Sequence, residues 1–317
     1  MNGLSDGASV SHEGMGTAIS HQAYGGRAEE ALEAARIEAG RLEGLLSRFL
    51  EGSDVWRINR AAGGEAVPVA PETLQVLRHA EAFSELTNGC FDVAVAPLMD
   101  AWDHRRALVP DEDAIARARA LVDYRSVTLY RMRRAVSLKK PGQAIDLGGI
   151  AKGFAGDRMM DVFRRHGVRC AFSNFGGGVS ALGARPDGSP WRVGIRHPRE
   201  DGLIGAVSVE ECAVVTSGDY ERCFFAEGRR FHHLIDPRTG RPAASGLVSV
   251  TAIAPSGLTA DALSTAVFVA GLERGLPWIG RTRGAGAVMI DEGMRVFVTR
   301  NLVPRFTGMK GITAFVV

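Results

Sequence analysis

The feature that most constrains the fold is a series of short β-rich segments, separated by glycines, from Val168 to Val250. Such runs with turn residues between them are typical of an antiparallel sheet with tight connections. We expect strands at Cys170–Asn174, Val179–Leu182, Trp191–Ile195, Ala206–Val209, Ala213–Thr216 and Arg230–Ile235.

Helical patterns flank this β-rich region on both sides. Helices and strands are mixed without strict alternation, so the sequence predicts an α+β fold with helices packed on largely antiparallel sheets. We expect helices at 26–48, 71–87, 110–121, 151–165, 259–269 and 272–279, a hairpin at 124–138, and closing strands at 286–290, 295–299 and 311–317.

Composition indicates an ordinary globular protein, with 45% hydrophobic and 23% charged residues. The net charge of +2 gives no nucleic-acid signal. We expect a flexible tail at residues 1–13 and one domain over residues 14–317. Residues 1–26 contain no Lys or Arg and no apolar stretch of signal-peptide length, and no segment reads as a transmembrane helix. We therefore expect a cytoplasmic protein, or a periplasmic one if a leader has been removed.

A glycine-rich segment at Asp146–Gly153 lies between an expected strand and an expected helix. Gly148 and Gly149 would let the backbone approach a ligand closely, and a helix N-terminus favours an anion. Lys152 would add a mobile positive charge. The segment fits neither the Walker A nor the Rossmann spacing, and an ordinary strand-to-helix turn explains it about as well.

A second segment, Thr259–Ala266, places a carboxylate and hydroxyls on one helix face. Asp261 and Thr265 are four residues apart and share that face, with Ser264 beside them. This set suits a hard cation such as Mg²⁺, which takes oxygen ligands and often bridges to phosphates. The alternative is helix capping by Thr259 or Asp261, which is common.

The segment Phe231–Pro242 reads as a strand that ends in an Asp-Pro turn. Alternation would place His232 and His233 on opposite faces, and only His233 would share a face with Ile235 at the strand end. His233 is therefore the better functional candidate. Asp236 would organise the turn, and adjacent histidines on a strand make a poor zinc pair.

Taken together with upstream fragments, these segments resemble the ApbE family, the FAD:protein FMN transferases. Their order and spacing carry the resemblance, from Met15 to the helix after Asp261. The matching segments are Met15-Gly16-Thr17, Ser47-Arg48-Phe49, Ser53 to Asn59, Gly89 to Leu98, Asp146 to Gly153, Asn174 to Gly177, Trp191 to Ile195, Thr216 to Tyr220, His233 to Gly240 and Ala260 to Thr265.

The resemblance implies an ApbE-like fold related to the T-fold, with FAD as substrate and Mg²⁺ against its diphosphate. By position, Asp261 and Thr265 match side-chain metal ligands, and Gly149 matches a ligand that would use its carbonyl oxygen. Ser264 stands where some members carry aspartate, which removes one charged ligand. The positions that match flavin-nucleotide contacts are Met15, Phe49, Asn59, Asp92, Lys152 and His233.

The activity implied is Mg²⁺-dependent transfer of FMN from FAD to a Ser/Thr hydroxyl of an acceptor flavoprotein, with release of AMP. His233 and Asp261 are the candidate catalytic residues. Two alternatives stay open from the residues: an Mg²⁺-dependent FAD pyrophosphatase that gives FMN and AMP, and a non-catalytic flavin-binding protein. An intact Asp261/Thr265 pair argues against the second, since flavin storage needs no metal ligands.

Overall fold

A nine-stranded sheet forms the centre of the fold in this computed structural model, which describes residues 7–104 and 106–317. The strand order is β1-β2-β6-β7-β10-β15-β16-β17-β19, and every pairing is antiparallel except β17 with β19. The strands are β1 Gly7–Gly14, β2 Thr17–Tyr24, β3 Val67–Pro68, β4 Val127–Tyr130, β5 Ala135–Leu138, β6 Cys170–Phe175, β7 Gly178–Leu182, β8 Trp191–Arg196, β9 Leu203–Val209, β10 Ala213–Gly218, β11 Cys223–Ala226, β12 Arg229–His232, β13 Ile235–Asp236, β14 Arg241–Pro242, β15 Leu247–Ala254, β16 Gly286–Asp291, β17 Val296–Val298, β18 Phe306–Gly308 and β19 Ala314–Val316.

Helices cover one face of this sheet. Helix α6 packs on β6 and β7, helix α7 packs on β10 and β15, and α1 packs on β1 and on α6. The helices are α1 Ala28–Leu46, α2 Asp54–Arg60, α3 Pro71–Leu86, α4 Ala96–Trp102, α5 Glu112–Arg119, α6 Ala151–Arg165, α7 Gly257–Ala270 and α8 Leu272–Arg281.

The opposite face of the sheet is covered by the three-stranded sheet β18-β9-β8. Ile195, Ile204 and Val207 from this smaller sheet form one buried cluster with Val214 and Ile253 from the large sheet. Residues of opposite parity on the same strands, such as those neighbouring Val214 and Ile253, join the helix-side core. The centre of the large sheet is therefore buried on both faces, between helices and a second sheet.

The α+β prediction is confirmed, and most expected elements are present within a few residues of their expected bounds. Several elements were missed, among them the paired strands β1 and β2 and the short helices α2 and α4. Strand β15, at Leu247–Ala254, was also missed, and all eight of its residues are buried. A strand covered on both faces lacks the polar–apolar alternation that marks a strand in a sequence. The expected continuous strand Arg230–Ile235 is wrong, because the structure divides it into β12 and β13 at His233 and Leu234.

The expected tail at residues 1–13 is corrected for its second half. Residues 7–13 lie in β1, which pairs along its whole length with β2. Residues 1–6 lie outside the described part of the chain. In that part, no helix is both long and apolar enough to span a membrane.

Candidate active site

Two glycines allow α6 and α7 to cross at close range. A Cβ built on Gly153 would overlap the carbonyl oxygen of Gly257 and lie 2.8 Å from the Cβ of Asp261. Asp157, one turn further along α6, accepts the backbone N–H groups of Gly257 (2.5 Å) and Leu258 (3.0 Å) at the start of α7. The crossing therefore brings the first turn of α6 against the face of α7 that carries Asp261.

Asp261 does not cap its own helix. Helix α7 begins at Gly257, and its N-cap is Ser256, whose Oγ accepts the N–H of Thr259. Asp261 lies inside the helix, 4% exposed, and its Oδ2 accepts the backbone N–H of Gly153 at 2.9 Å. Burial raises the pKa of Asp261, while the Lys152 charge and the Gly153 hydrogen bond act in the opposite direction. The capping alternative is therefore wrong.

Hydroxyl groups gather around the next turn of α7. The Oγ of Ser217, on β10, lies 2.9 Å from the Oγ of Ser264 and 3.3 Å from the Oγ1 of Thr265. Ser264 also donates a hydrogen bond to the carbonyl oxygen of Asp261 at 2.9 Å. Thr265 is half-buried.

Gly149 lies against Thr265. Such proximity is needed if both residues are to bind the same metal ion. A Cβ at Gly149 would be 3.3 Å from both the Thr265 Oγ1 and the Phe91 ring, a tight distance for a side chain. Carboxylate, hydroxyl and carbonyl oxygens are the donors that Mg²⁺ prefers, so the group formed by Gly149, Asp261 and Thr265 fits such an ion. Within residues 7–104 and 106–317, no three His, Cys, Asp or Glu side chains converge as a metal-binding group.

We call Gly149, Asp261 and Thr265 the oxygen group. Lys152 and His233 lie beside it. The Nζ of Lys152 donates to the carbonyl oxygen of Gly148 at 2.7 Å, and its charge acts on both Asp261 and His233. The backbone N–H and the Nδ1 of His233 lie 3.0 Å and 3.2 Å from the carbonyl oxygen of Arg222. Since a carbonyl only accepts, this contact assigns the proton to Nδ1 and leaves the lone pair on Nε2.

His233 is neutral under ordinary conditions. Burial, together with the nearby charges of Arg222, His232 and Lys152, lowers its pKa to about 3. The sequence argument for His233 assumed a continuous strand to Ile235, and this argument is wrong because the strand ends at His232. The structure nevertheless places His233 close to Lys152 and Arg222.

Met15 occupies the tip of the β1–β2 hairpin. Met15 and Gly16 have φ angles of 50° and 70°, the geometry of a two-residue type I′ turn, which fits the strand twist. The carbonyl oxygen of Gly16 accepts a hydrogen bond of 3.3 Å from Nη2 of Arg222. The hairpin tip is therefore held near His233, and a flavin contact at Met15 stays a prediction.

Phe49 and Asn59 lie on segments that are fastened to the glycine-rich segment. Phe49 is 68% exposed, with the guanidinium of Arg48 located 4.6 Å from its ring centroid. Arg48 pairs with Asp146 at 2.8 Å and with Asp100 at 2.6 Å. Asn59 accepts the N–H of Ile145 at 2.7 Å and donates to its carbonyl oxygen at 3.0 Å. The amide of Asn59 thus holds the backbone just before the loop.

Asp92 has a structural role in this chain. Its two carboxylate oxygens accept the backbone N–H groups of Ala94 (2.7 Å) and Tyr124 (2.9 Å). Burial raises the pKa of Asp92 to about 6, and these hydrogen bonds act in the opposite direction. Each carboxylate oxygen keeps a second lone pair, so a nucleotide contact at Asp92 stays a prediction. The neighbouring Phe91, not Asp92, is the side chain in contact with Gly149.

A groove of about 410 Å³ runs along the tips of β1, β2 and β6. It passes close to the Met15–Gly16 turn, but Asp261, Thr265 and Lys152 do not line it. The oxygen group therefore stands apart from this groove. The lining residues are Ser11, His12, Glu13, Ala18, Ile19, Ser20, Asn174 and Gly176.

The sequence did not single out three side chains that the structure brings to this region: Arg48, Ser217 and Arg222. Ser217 stands in the Thr216–Tyr220 segment and Arg48 in the Ser47–Phe49 segment, both of which carried the resemblance. Arg222 follows the first of these by two residues. These residues therefore lie in or near segments that the sequence did identify. Nothing local in the sequence reveals that their partners lie at residues 264, 146 and 16.

A sequence profile described as the ApbE family matches residues 15–290. The FAD:protein FMN transferase of Treponema pallidum is 35% identical over 312 residues, which cover 92% of this chain and 86% of that protein. A protein with the same description from Klebsiella pneumoniae is 35% identical over 272 residues, covering 84% of each chain.

Solved structures give the same result. The crystal structure of the ApbE protein from Thermotoga maritima superposes with a TM-score of 0.87 at 34% identity, covering 93% of this chain and 98% of that one. The flavin transferase ApbE from Vibrio cholerae gives a TM-score of 0.85 at 26% identity, covering 95% of this chain and 99% of its own.

Proposed function

The chain belongs to the ApbE family, and from this premise we propose that it is an FAD:protein FMN transferase. The proposed reaction moves FMN from FAD to a Ser or Thr hydroxyl of an acceptor flavoprotein and releases AMP. Mg²⁺ is the proposed metal. The cytoplasmic location stays a prediction from the sequence.

The observation that carries this proposal is the oxygen group beside a cation at the α6–α7 crossing. Asp261 and Thr265 stand one turn apart on α7, and Gly149 touches Thr265 from the glycine-rich loop. Lys152 adds a positive charge within electrostatic reach of Asp261. A carboxylate, neutral oxygens and a lysine together suit a metal-bound diphosphate better than an uncharged ligand.

Asp261, Thr265 and the carbonyl oxygen of Gly149 would hold Mg²⁺, which would neutralise charge on the diphosphate oxygens. Lys152 would add to this neutralisation. The acceptor oxygen forms a bond to the phosphorus on the FMN side, and the bond between that phosphorus and the bridging oxygen breaks. AMP leaves with the bridging oxygen. Positioning and electrostatics dominate in transfers of this kind.

The acceptor hydroxyl must lose its proton during the transfer, and two residues are candidates for assisting it. The free lone pair on Nε2 of His233 suits it to accept a hydrogen bond from the hydroxyl and to orient it. With a pKa of about 3, however, His233 is a weak base. Asp261 is therefore the candidate for taking the proton, and His233 the candidate for positioning.

The experiment follows two products in one reaction. Purified protein is incubated with FAD and Mg²⁺, with and without an acceptor that bears a Ser/Thr flavinylation motif, and with EDTA as the control. We expect an FMN-sized increase in acceptor mass, matched by AMP, and loss of both in EDTA. AMP with free FMN and an unmodified acceptor would indicate the pyrophosphatase. FAD binding that is insensitive to EDTA, without AMP, would indicate a flavin-binding protein.

A further inference from the structure

Arg222 connects two parts of the candidate site. Its backbone carbonyl oxygen accepts from the N–H of His233 at 3.0 Å and lies 3.2 Å from the Nδ1 of the same residue. Its exposed side chain reaches the hairpin tip, where Nη2 donates to the carbonyl oxygen of Gly16 at 3.3 Å. The guanidinium therefore lies between His233 and the Met15–Gly16 turn, and most of its N–H donors remain available.

Within residues 7–104 and 106–317, Arg222 has no carboxylate partner, unlike Arg199 and Arg48. Arg199 binds both carboxylate oxygens of Asp219 at 2.7 Å, and Arg48 pairs with Asp146. In the described residues, the polar contacts of Arg222 and Lys152 are with carbonyl oxygens, and neither forms an ion pair.

Arg222 and Lys152 act on the same histidine. Each lowers the pKa of His233, which places both positive charges close to its ring. Asp261 is the carboxylate that faces Lys152. The region therefore holds two cations, Arg222 and Lys152, that form no ion pair in the part of the chain that the structure describes. Such a region favours an anionic ligand, and a guanidinium presents paired N–H donors that match phosphate oxygens.

We propose that Arg222 binds a phosphate oxygen of the FAD diphosphate, the same chemical group that Lys152 would face. The inference rests on the proposed function, since it takes FAD as the substrate. Arg222 then holds the dinucleotide independently of the metal, and its hydrogen bond to Gly16 links the hairpin tip to the same guanidinium. The contact predicts that part of the affinity for FAD persists after removal of Mg²⁺.

The test measures FAD and ADP binding by calorimetry to EDTA-treated wild-type protein, Arg222→Gln and Arg222→Lys. Loss of a charge-assisted hydrogen bond predicts about a tenfold weaker Kd in Arg222→Gln for both ligands. The Kd of Arg222→Lys should lie between those of wild type and Arg222→Gln, because lysine keeps the positive charge but lacks the paired N–H donors of the guanidinium. The dependence of Kd on salt should be shallower in Arg222→Gln than in wild type.

Arg229→Gln is the matched control. Arg229 is exposed on β12 of the same hairpin, with its guanidinium 5.7 Å from the Phe231 ring centroid, and its loss should leave both Kd values unchanged. Equal Kd values for wild type and Arg222→Gln, or an equal loss in Arg229→Gln, would overturn the assignment. If wild type cleaves FAD while Arg222→Gln binds it normally, only the Arg222 assignment fails. If ADP binds and FAD does not, the anion site stands and the proposed function fails.

Discussion

At the scale of single residues, the candidate site depends on where each polar atom already has a partner. One oxygen of Asp261 is committed to the N–H of Gly153, which fixes the carboxylate without neutralising it. Thr265 has its hydroxyl 3.3 Å from Ser217 and remains half-exposed. These two side chains therefore have distinct tasks in the account: Asp261 supplies charge and Thr265 supplies a neutral, adjustable oxygen.

Replacement of Thr265 by Ala should raise the Mg²⁺ concentration needed for half-maximal AMP release by roughly 10- to 100-fold, the range seen when a contact near a metal is lost. Thr265→Ser keeps the hydroxyl and should stay near wild type. Thr259→Ala on the same helix is the control, since the Thr259 side chain is not part of the oxygen group. An unchanged Mg²⁺ dependence in Thr265→Ala would remove Thr265 from the site.

The low pKa of His233 leads to a prediction about the pH dependence of kcat/KM. Its pKa of about 3 keeps the ring neutral from pH 5 to 9, so its titration should not appear in the pH profile of kcat/KM near 6.5. His233→Asn should lower the rate and leave the shape of the profile unchanged between pH 5 and 8. An inflection near pH 6.5 that disappears in His233→Asn would show that the ring titrates normally and would contradict this assignment.

Residue scale is also where sequence reasoning reaches its limit. Asn59 and Asp92 stay predicted ligand contacts, and the structure adds that their side chains bind the backbone at Ile145, Ala94 and Tyr124. Asparagine and aspartate suit both tasks equally well. The structural role of each side chain depends on a distant partner, which lies 86 residues away for Asn59 and 32 residues away for Asp92. A single sequence does not reveal these partners.

At the scale of elements, the α6–α7 crossing decides whether the site exists. Gly153 lets the two helices approach until the Gly153 N–H reaches Asp261. The sequence predicted both helices and identified Asp261 and Thr265 on one helix face. It could not predict the approach, since a glycine within a helix looks the same whether it faces another helix or solvent.

Gly153→Ala should therefore destabilise the fold by about 1–3 kcal/mol, because its Cβ overlaps the backbone of α7, and it should also weaken Mg²⁺-dependent activity. Gly44→Ala in α1 is the control, because a Cβ there meets no atom within 4 Å. That variant should be neutral or gain up to about 1 kcal/mol from better helix propensity. Denaturant unfolding measures both. A Gly153→Ala variant as stable and active as wild type would show that the close crossing is unnecessary.

Strand β15, at Leu247–Ala254, is a long strand of the central sheet that the sequence did not predict. It lies between β10 and β16 near the middle of the sheet. Strand β15 is buried on both faces and was missed, whereas β16 is also buried along its whole length and was expected. Burial alone therefore does not decide whether a strand can be found in the sequence.

At the scale of the whole molecule, the β1–β2 hairpin depends on a histidine buried in the helix-side core. His21 is 0% exposed. Its Nδ1 lies 2.8 Å from the Oγ of Ser173 on β6, and its Nε2 lies 3.3 Å from the Nε2 of His12 on β1. Burial, assisted by the His12 charge, lowers its pKa from 6.5 to about 4. The folded protein therefore holds His21 neutral over a range in which the unfolded chain takes up a proton.

Stability should fall as the pH decreases from 6.5 towards 4, because the unfolded state then binds more protons at His21 than the native state does. The shift from 6.5 to about 4 corresponds to roughly 3 kcal/mol, at about 1.4 kcal/mol per pKa unit. Asp92, with its pKa raised to about 6, acts in the opposite direction between about 4 and 6. The comparison with His21→Asn isolates the histidine: its unfolding free energy should lose roughly 3 kcal/mol less than that of wild type on acidification. Parallel curves would contradict the assignment.

The central claim is that Asp261 is the charged ligand for metal-dependent FAD cleavage and FMN transfer. The most direct test measures AMP and FMN-modified acceptor together, over a series of Mg²⁺ concentrations, in wild type, Asp261→Asn and the control Asp161→Asn. Asp161 lies on α6 with 49% of its side chain exposed and pairs with Arg164. Wild type and Asp161→Asn should give equal amounts of both products, whereas Asp261→Asn should lose activity by on the order of 10²–10³ and its Mg²⁺ dependence. Full Mg²⁺-dependent transfer by a folded Asp261→Asn protein would contradict the account.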